Sequence, residues 1–320
     1  MFRRAVCALV LALAMSVGNG CATAPYRHLP TSSLARTTPL SCGEAQIERG
    51  RPSGFVDAAG TFFSIPSKII LLNLDVDSHY VSEDTENALA AYLLANGLTN
   101  VKVRINQYAP GGEFGRLVRN KRVGFGWRYT LGVLSWTIYT VLPQRIFGGD
   151  NYNPWSDTIN IYSDHPAIAI HEGGHAKDFA SRDYPGSYGF LYMLPFVSLH
   201  HEAVASTDAL SYFRAQCSTN EWRDAYKVLY PAYGTYIGGN MGQYVLPYSW
   251  VYWAAVLPGH ALGRIKAAQE LPCSESQQPI KAAEEDREMA RVRELQRLRN
   301  EGVITDEELK AKIGPVNEDN

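Results

Sequence analysis

The sequence predicts a fold that mixes strands with helices, and three observations carry that expectation. Asn100-Val101-Lys102-Val103-Arg104-Ile105 and Thr158-Ile159-Asn160-Ile161-Tyr162 alternate polar with apolar side chains, the period of a strand. Ser82 through Asn96-Gly97, and Ser163 through Tyr184, carry the start and stop signals of helices. His171-Glu172-Gly173-Gly174-His175 sets two imidazoles four residues apart, a spacing that a helix turns into one face.

The elements follow in chain order. Arg3 and Arg4 precede an apolar run from Ala5 to Val17, and Gly18-Asn19-Gly20 leads into Cys21. A positive end, a short apolar core and small residues make a secretory signal over 1–20, too short to span a bilayer comfortably. Residues 21–60 are rich in Pro, Ser, Thr and Gly and read as a tether. The body, 61–272, then opens with the apolar run Ile69-Ile70-Leu71-Leu72-Asn73-Leu74, expected as a strand. The helix from Ser82 and the strand at 100–105 follow. Asn153-Pro154-Trp155-Ser156-Asp157 reads as a turn into the strand at 158–162, whose polar face marks a sheet edge. Ser163 and Asp164 offer cap oxygens to the next helix, and Pro166 fits its first turn. Pro185-Gly186 bars its continuation. His200 to Leu210 reads as a second helix, with Ala203, Ala205 and Ala209 small enough for close packing.

On a helix, His171 and His175 hold one metal ion between them, and Glu172 sits about 100° further round. That is close enough to take a proton from a water at the metal without competing as a ligand. Composition alone gives about 0.01 chance occurrences of such a motif. Two adjacent glycines inside a helix cost roughly 1 kcal/mol each, so Gly173 and Gly174 are expected where another backbone or a substrate comes close.

A histidine pair of this kind, a connection, and a helix-borne Glu202 resemble the gluzincin zinc metallopeptidases over roughly residues 65–215. The resemblance implies His171, His175 and Glu202 as zinc ligands and Glu172 as general base. It also implies an α+β, zincin-like fold: a small mixed sheet with an edge strand, the active-site helix, and a second ligand helix. Peptide bonds are the implied substrate, with Glu172 delivering its proton to the leaving amine. Many gluzincins place an Asp four residues after the ligand Glu; here that position is Ser206. Asp178, His201 and Asp208 are therefore open as residues supporting the ligands, with His201 or Asp208 as alternatives to Glu202. His200, His201, Tyr212 and His260 are open as donors to an oxyanion.

The cysteine after small residues resembles a bacterial lipoprotein box, which implies lipidation of Cys21; Ala22 after it implies outer-membrane sorting, facing the periplasm. Cys42, Cys217 and Cys273 then remain, with Cys217–Cys273 as one pairing and free thiols as the other reading. Three aromatic-rich apolar stretches stand out: Trp127–Leu142, Tyr184–Leu199 and Tyr244–Leu257, and Val228 to Gly263 carries no Asp, Glu, Lys or Arg. They read as helices walling the active site or as a face that dips into the bilayer beside the anchor. Residues 273–320 form a separate charged helical hairpin, with a capping box at Thr305 to Glu308. Arg293–Ile313 resembles the short SHOCT module, which implies self-association rather than chemistry. The net charge of -2 and the lack of a basic block in the body give no footprint for nucleic acid. The expectation is a lipid-anchored envelope metallopeptidase. Its rivals are a hydrolase of a non-peptide envelope amide and a catalytically silent zinc-binding scaffold.

Overall fold

The computed structural model describes residues 26–29, 36–141, 144–194, 196–242 and 248–269. The chain divides into two compact units, Met1–Leu271 and Pro272–Asn320, and the second lies outside the described residues. So do the expected signal segment, Cys21, Cys273 and the helical hairpin. The first unit is α+β and mostly helical, with one small mixed sheet of four strands.

Its elements begin with β1 (Ile47–Arg49), α1 (Gly54–Phe63), α2 (Ile65–Leu71), α3 (Glu83–Ala95), β2 (Lys102–Ile105) and α4 (Pro110–Arg119). A helical run follows, in which α5 (Phe125–Trp127) and α6 (Val133–Trp136) alternate with wider π turns at Arg128–Gly132 and Thr137–Val141. Then come α7 (Gln144–Phe147), β3 (Asn151–Asn153), β4 (Thr158–Ile161), α8 (Pro166–Ala180), α9 (Pro185–Tyr192), α10 (Val197–Ala215), α11 (Thr219–Gly242) and α12 (Tyr248–Ala267).

The sheet order is β1-β2-β4-β3, with the first two pairings parallel and β3–β4 antiparallel. Val103 faces Ile159 and Ile105 faces Ile161 across the β2–β4 pair. These four side chains enter the core with Leu89, Leu93 and Ile170. The strand at 158–162 thus has the alternation read from its sequence but not the edge position: β1 and β3 are the edges. The polar side chains of β4 are buried because α4 covers them, and Thr158 Oγ1 donates to Glu113 Oε2 at 3.1 Å.

The run at 69–74 is not a strand. Pro66 opens α2, which ends at Leu72 in the left-handed region (φ 50°), and the Lys68 ammonium donates to the carbonyls of Leu74 and Val76. A short apolar run has no periodicity that separates strand from helix, so neighbouring contacts decide. Residues 47–49, read as part of a tether, supply a strand, and 54–63 supply α1. Tyr26 and Leu29 also pack against the core. The folded body therefore starts well before residue 61.

The head of α8 differs from expectation too. His165 is its cap, its ring accepting from the Ala167 amide at 3.2 Å. Asp164 instead serves α3, where Oδ1 accepts from the amide and hydroxyl of Ser82 and the hydroxyl of Thr85. Pro185 starts a new helix rather than merely ending the old one. Downstream, α11 and α12 pack closely: a Cβ on Gly234 would meet the Ala255 carbonyl oxygen at 2.7 Å, and one on Gly238 the Tyr252 Cα at 2.8 Å. The charge-free stretch 228–263 is thus, where described, a pair of tightly packed helices. No helix among the described residues is long and apolar enough to cross a membrane. Cys217 is disulfide-bonded and Cys42 is a free thiol.

Candidate metal centre

The glycine pair in α8 sets the site. A Cβ on Gly174 would lie 3.0 Å from the Ala205 carbonyl oxygen and 3.1 Å from its Cα, so α8 and α10 touch backbone to backbone here. On the next position, a Cβ on Gly173 would run into the Tyr92 ring of α3 at 2.6 Å. This close approach brings His171 and His175 of α8 up to Glu202 of α10, one turn from Ala205.

The three side chains are buried and converge. His171 Nε2 lies 3.2 Å from His175 Nε2 and 3.1 Å from Glu202 Oε2, and His175 Nε2 lies 3.5 Å from the same oxygen. Tetrahedral zinc with bonds of about 2.0–2.1 Å holds its ligand atoms roughly 3.3 Å apart. The edges of the triangle fit that figure, and two imidazoles with one carboxylate are a donor set zinc takes. His175, Glu202 and Glu172 line an open cleft of about 430 Å³, so the triangle has an accessible side.

Ser206 stands where an Asp was missed. Its Oγ is 3.2 Å from His171 Nδ1. An Nδ1–H donated to that hydroxyl leaves the Nε2 lone pair facing the triangle. The other supporting candidates turn elsewhere. Asp208 accepts from the Lys177 ammonium at 2.6 Å and from the Tyr92 hydroxyl, on the side of α10 away from the triangle. Asp178 accepts from Arg182 and from the Tyr188 hydroxyl at 2.6 Å. His201 sits among Tyr188, Tyr192 and Phe179, and neither of its ring nitrogens has a hydrogen-bond partner among the described residues. Burial lowers its pKa to about 4.

Neither Tyr212 nor His260 lines the cleft. Tyr212 packs edge-on to Tyr92 and Tyr26 in the core, and His260 is bonded to the Ile70 carbonyl and to Arg264. His200 is exposed. The hydroxyls at the site belong to Tyr192 and Tyr236, both hydrogen-bonded to Glu202. Burial and the Glu202 charge hold Tyr192 well above the usual phenol range; the Glu202 charge, then burial, does the same for Tyr236. Both therefore remain donors. They come from α9 and α11, and no local sequence signal links a tyrosine there to the histidines.

Electrostatics separate the two glutamates. Burial raises Glu172 to about 7, against the pull of the neighbouring histidines. Burial also works to raise Glu202, but the charge of His175 and hydrogen bonds from both histidines reverse it and hold the carboxyl well below the usual range. The two carboxyls, 30 residues apart in sequence, are thus held at opposite ends of the carboxylate range. Comparison with protein-family models, with curated proteins and with solved structures gives no match.

Proposed function

We propose that the chain is a zinc-dependent metallopeptidase of the bacterial cell envelope, zincin-like in fold and gluzincin-like in its ligand order. The observation that carries this reading is the His171–His175–Glu202 triangle, its edges sized for zinc, on the floor of a cleft shared with Glu172. A zinc ion held by those three residues supplies Lewis-acid polarisation of a carbonyl and a more acidic water. Every other role belongs to the chain. Glu172 takes a proton from that water and returns it to the leaving amine, a task suited to a carboxyl with a pKa of about 7. Glu202 stays ionised throughout. Ser206 keeps His171 in one tautomer and orientation. Tyr192 and Tyr236 donate their hydroxyls to Glu202 and hold that carboxylate in place as a ligand. The outer side of β3 is the sheet edge that an extended peptide joins.

The reading of 1–20 and Cys21 supports a lipid anchor on the outer membrane, facing the periplasm, and the charged tail supports self-association. The decisive experiment is elemental and kinetic analysis of the full chain beside Glu172→Gln and His175→Ala. Glu172→Gln is expected to keep one zinc per chain and lose about 10²–10⁴-fold in peptide hydrolysis. His175→Ala is expected to lose the metal. A metal-free wild type, or a fully active Glu172→Gln, overturns the assignment.

A further inference from the structure

The walls of the cleft say what enters it. Its charged lining among the described residues is Asp150, Glu172 and Glu202; no Lys or Arg is there. Glu172 and Glu202 belong to the floor. Asp150 is already committed: Oδ1 accepts from the amides of Tyr162 and Ser163 at 2.7 and 3.0 Å, and Oδ2 accepts from the Ser163 hydroxyl. Away from the metal-binding floor, a terminal carboxylate meets no Lys or Arg on the walls among the described residues, and a terminal ammonium meets no uncommitted acid there.

The rest of the wall is mostly apolar, with Ser135 and the asparagines of β3 as its polar side chains. Leu134, Ile138 and Tyr139 project from the helical run on one side, with relative exposures of 49%, 47% and 49%. Trp155, packed against that run, and Met193, 58% exposed, also line the cleft. Backbone and side chains of Asn151 to Asn153 run alongside, on a free edge of the sheet. Apolar walls favour apolar side chains, and an unpaired charge brought between them loses its hydration without replacement.

Building on the peptidase reading, we infer that the cleft is endo-acting: it takes the interior of an extended chain with apolar, uncharged side chains on both sides of the scissile bond, and it rejects chain ends. A terminus beyond the reacting bond finds no uncommitted charged side chain on the walls, whereas an internal segment needs none.

The test uses the zinc-loaded full chain and two peptides of one Leu- and Phe-rich sequence. One is acetylated and amidated; the other has free ends within two residues of the central bond. Hydrolysis is followed by chromatography, and binding by fluorescence anisotropy of labelled peptides on Glu172→Gln. The capped peptide is expected to bind and react at least tenfold better. Ile138→Arg, at a half-exposed position, is expected to reduce that preference at least tenfold in binding. Equal or better binding of the free-ended peptide, no binding of either, or an unchanged preference in Ile138→Arg overturns the inference. If the capped peptide binds selectively but nothing is cleaved, the peptidase reading fails and the cleft preference stands.

Discussion

At the scale of single residues, Ser206 and Glu172 carry the sharpest consequences. Ser206 reaches His171 Nδ1 with a hydroxyl, a weaker partner than a carboxylate but one at hydrogen-bonding distance. Ser206→Ala is expected to weaken zinc affinity about 10-fold or more, read by competition with a chelating dye, while the fold stays intact. Glu172 predicts a pH effect in the metal-free protein. Its folded pKa is about 7 against an ordinary 4.5, so the folded state holds the proton more tightly than the unfolded state does. The Glu172 contribution to stability must therefore fall as pH rises from about 4.5 to 7, by roughly 3 kcal/mol in the limit, and the comparison with Glu172→Gln isolates it from the histidines that titrate nearby. Glu172→Gln should remove this decline, leaving a metal-free protein more stable than wild type at pH 8 and little different at pH 4. Denaturant titrations at the two pH values check it. The histidine pair and Glu172 are readable from their spacing, whereas Glu202 came only through the family resemblance, with His201 and Asp208 open beside it. Tyr192 and Tyr236 are not, because they reach Glu202 from helices that the spacing of the ligands leaves undefined.

At the scale of elements, the contact of α8 with α10 governs the site. Gly174 lies against the backbone of Ala205, three residues beyond Glu202. Gly174→Val would drive a branched side chain into that contact and part the two helices. A loss of about 1–3 kcal/mol is expected in thermal or denaturant unfolding, together with weaker zinc binding, because Glu202 moves away from both histidines. The glycine pair signals this closeness in the sequence, since a helix does not carry two glycines for its own stability. Helix α3, strands β2 and β4, and the start of α8 are likewise legible within a residue or two. Strand β1, the edge position of β3 and helix α2 are not. Three-residue strands have no pattern of their own, and the polar side chains of β4 face α4 rather than solvent, which one strand's alternation does not reveal.

At the scale of the whole molecule, the start of the described chain is bound to the helices that carry the His171–His175–Glu202 triangle. Asn96 donates to the Tyr26 hydroxyl at 2.6 Å, and the Lys177 ammonium sits 4.1 Å from the centre of the Tyr26 ring. Lys177 belongs to α8 and is paired with Asp208 of α10. Tyr26→Ala should thus cost about 2 kcal/mol of stability through lost burial and cation–π contact, measured by thermal unfolding. A free tether would show no change. This placement revises the picture of a long spacer: if Cys21 is lipidated, five peptide steps separate it from Tyr26, at most about 18 Å of extended chain.

The sequence by itself marked the histidine pair with Glu172 between them, the helix that bears them and the mixed α+β character. These depend on residue type and spacing within one turn of helix or one strand, which local geometry reads without help. Tertiary structure alone decided that Ser206 faces His171, that Tyr192 and Tyr236 meet at Glu202, and that the cleft carries apolar walls with no free counter-charge. Each joins residues distant in the chain, and their meeting depends on how closely the backbones pack, a property of the assembled core rather than of any segment.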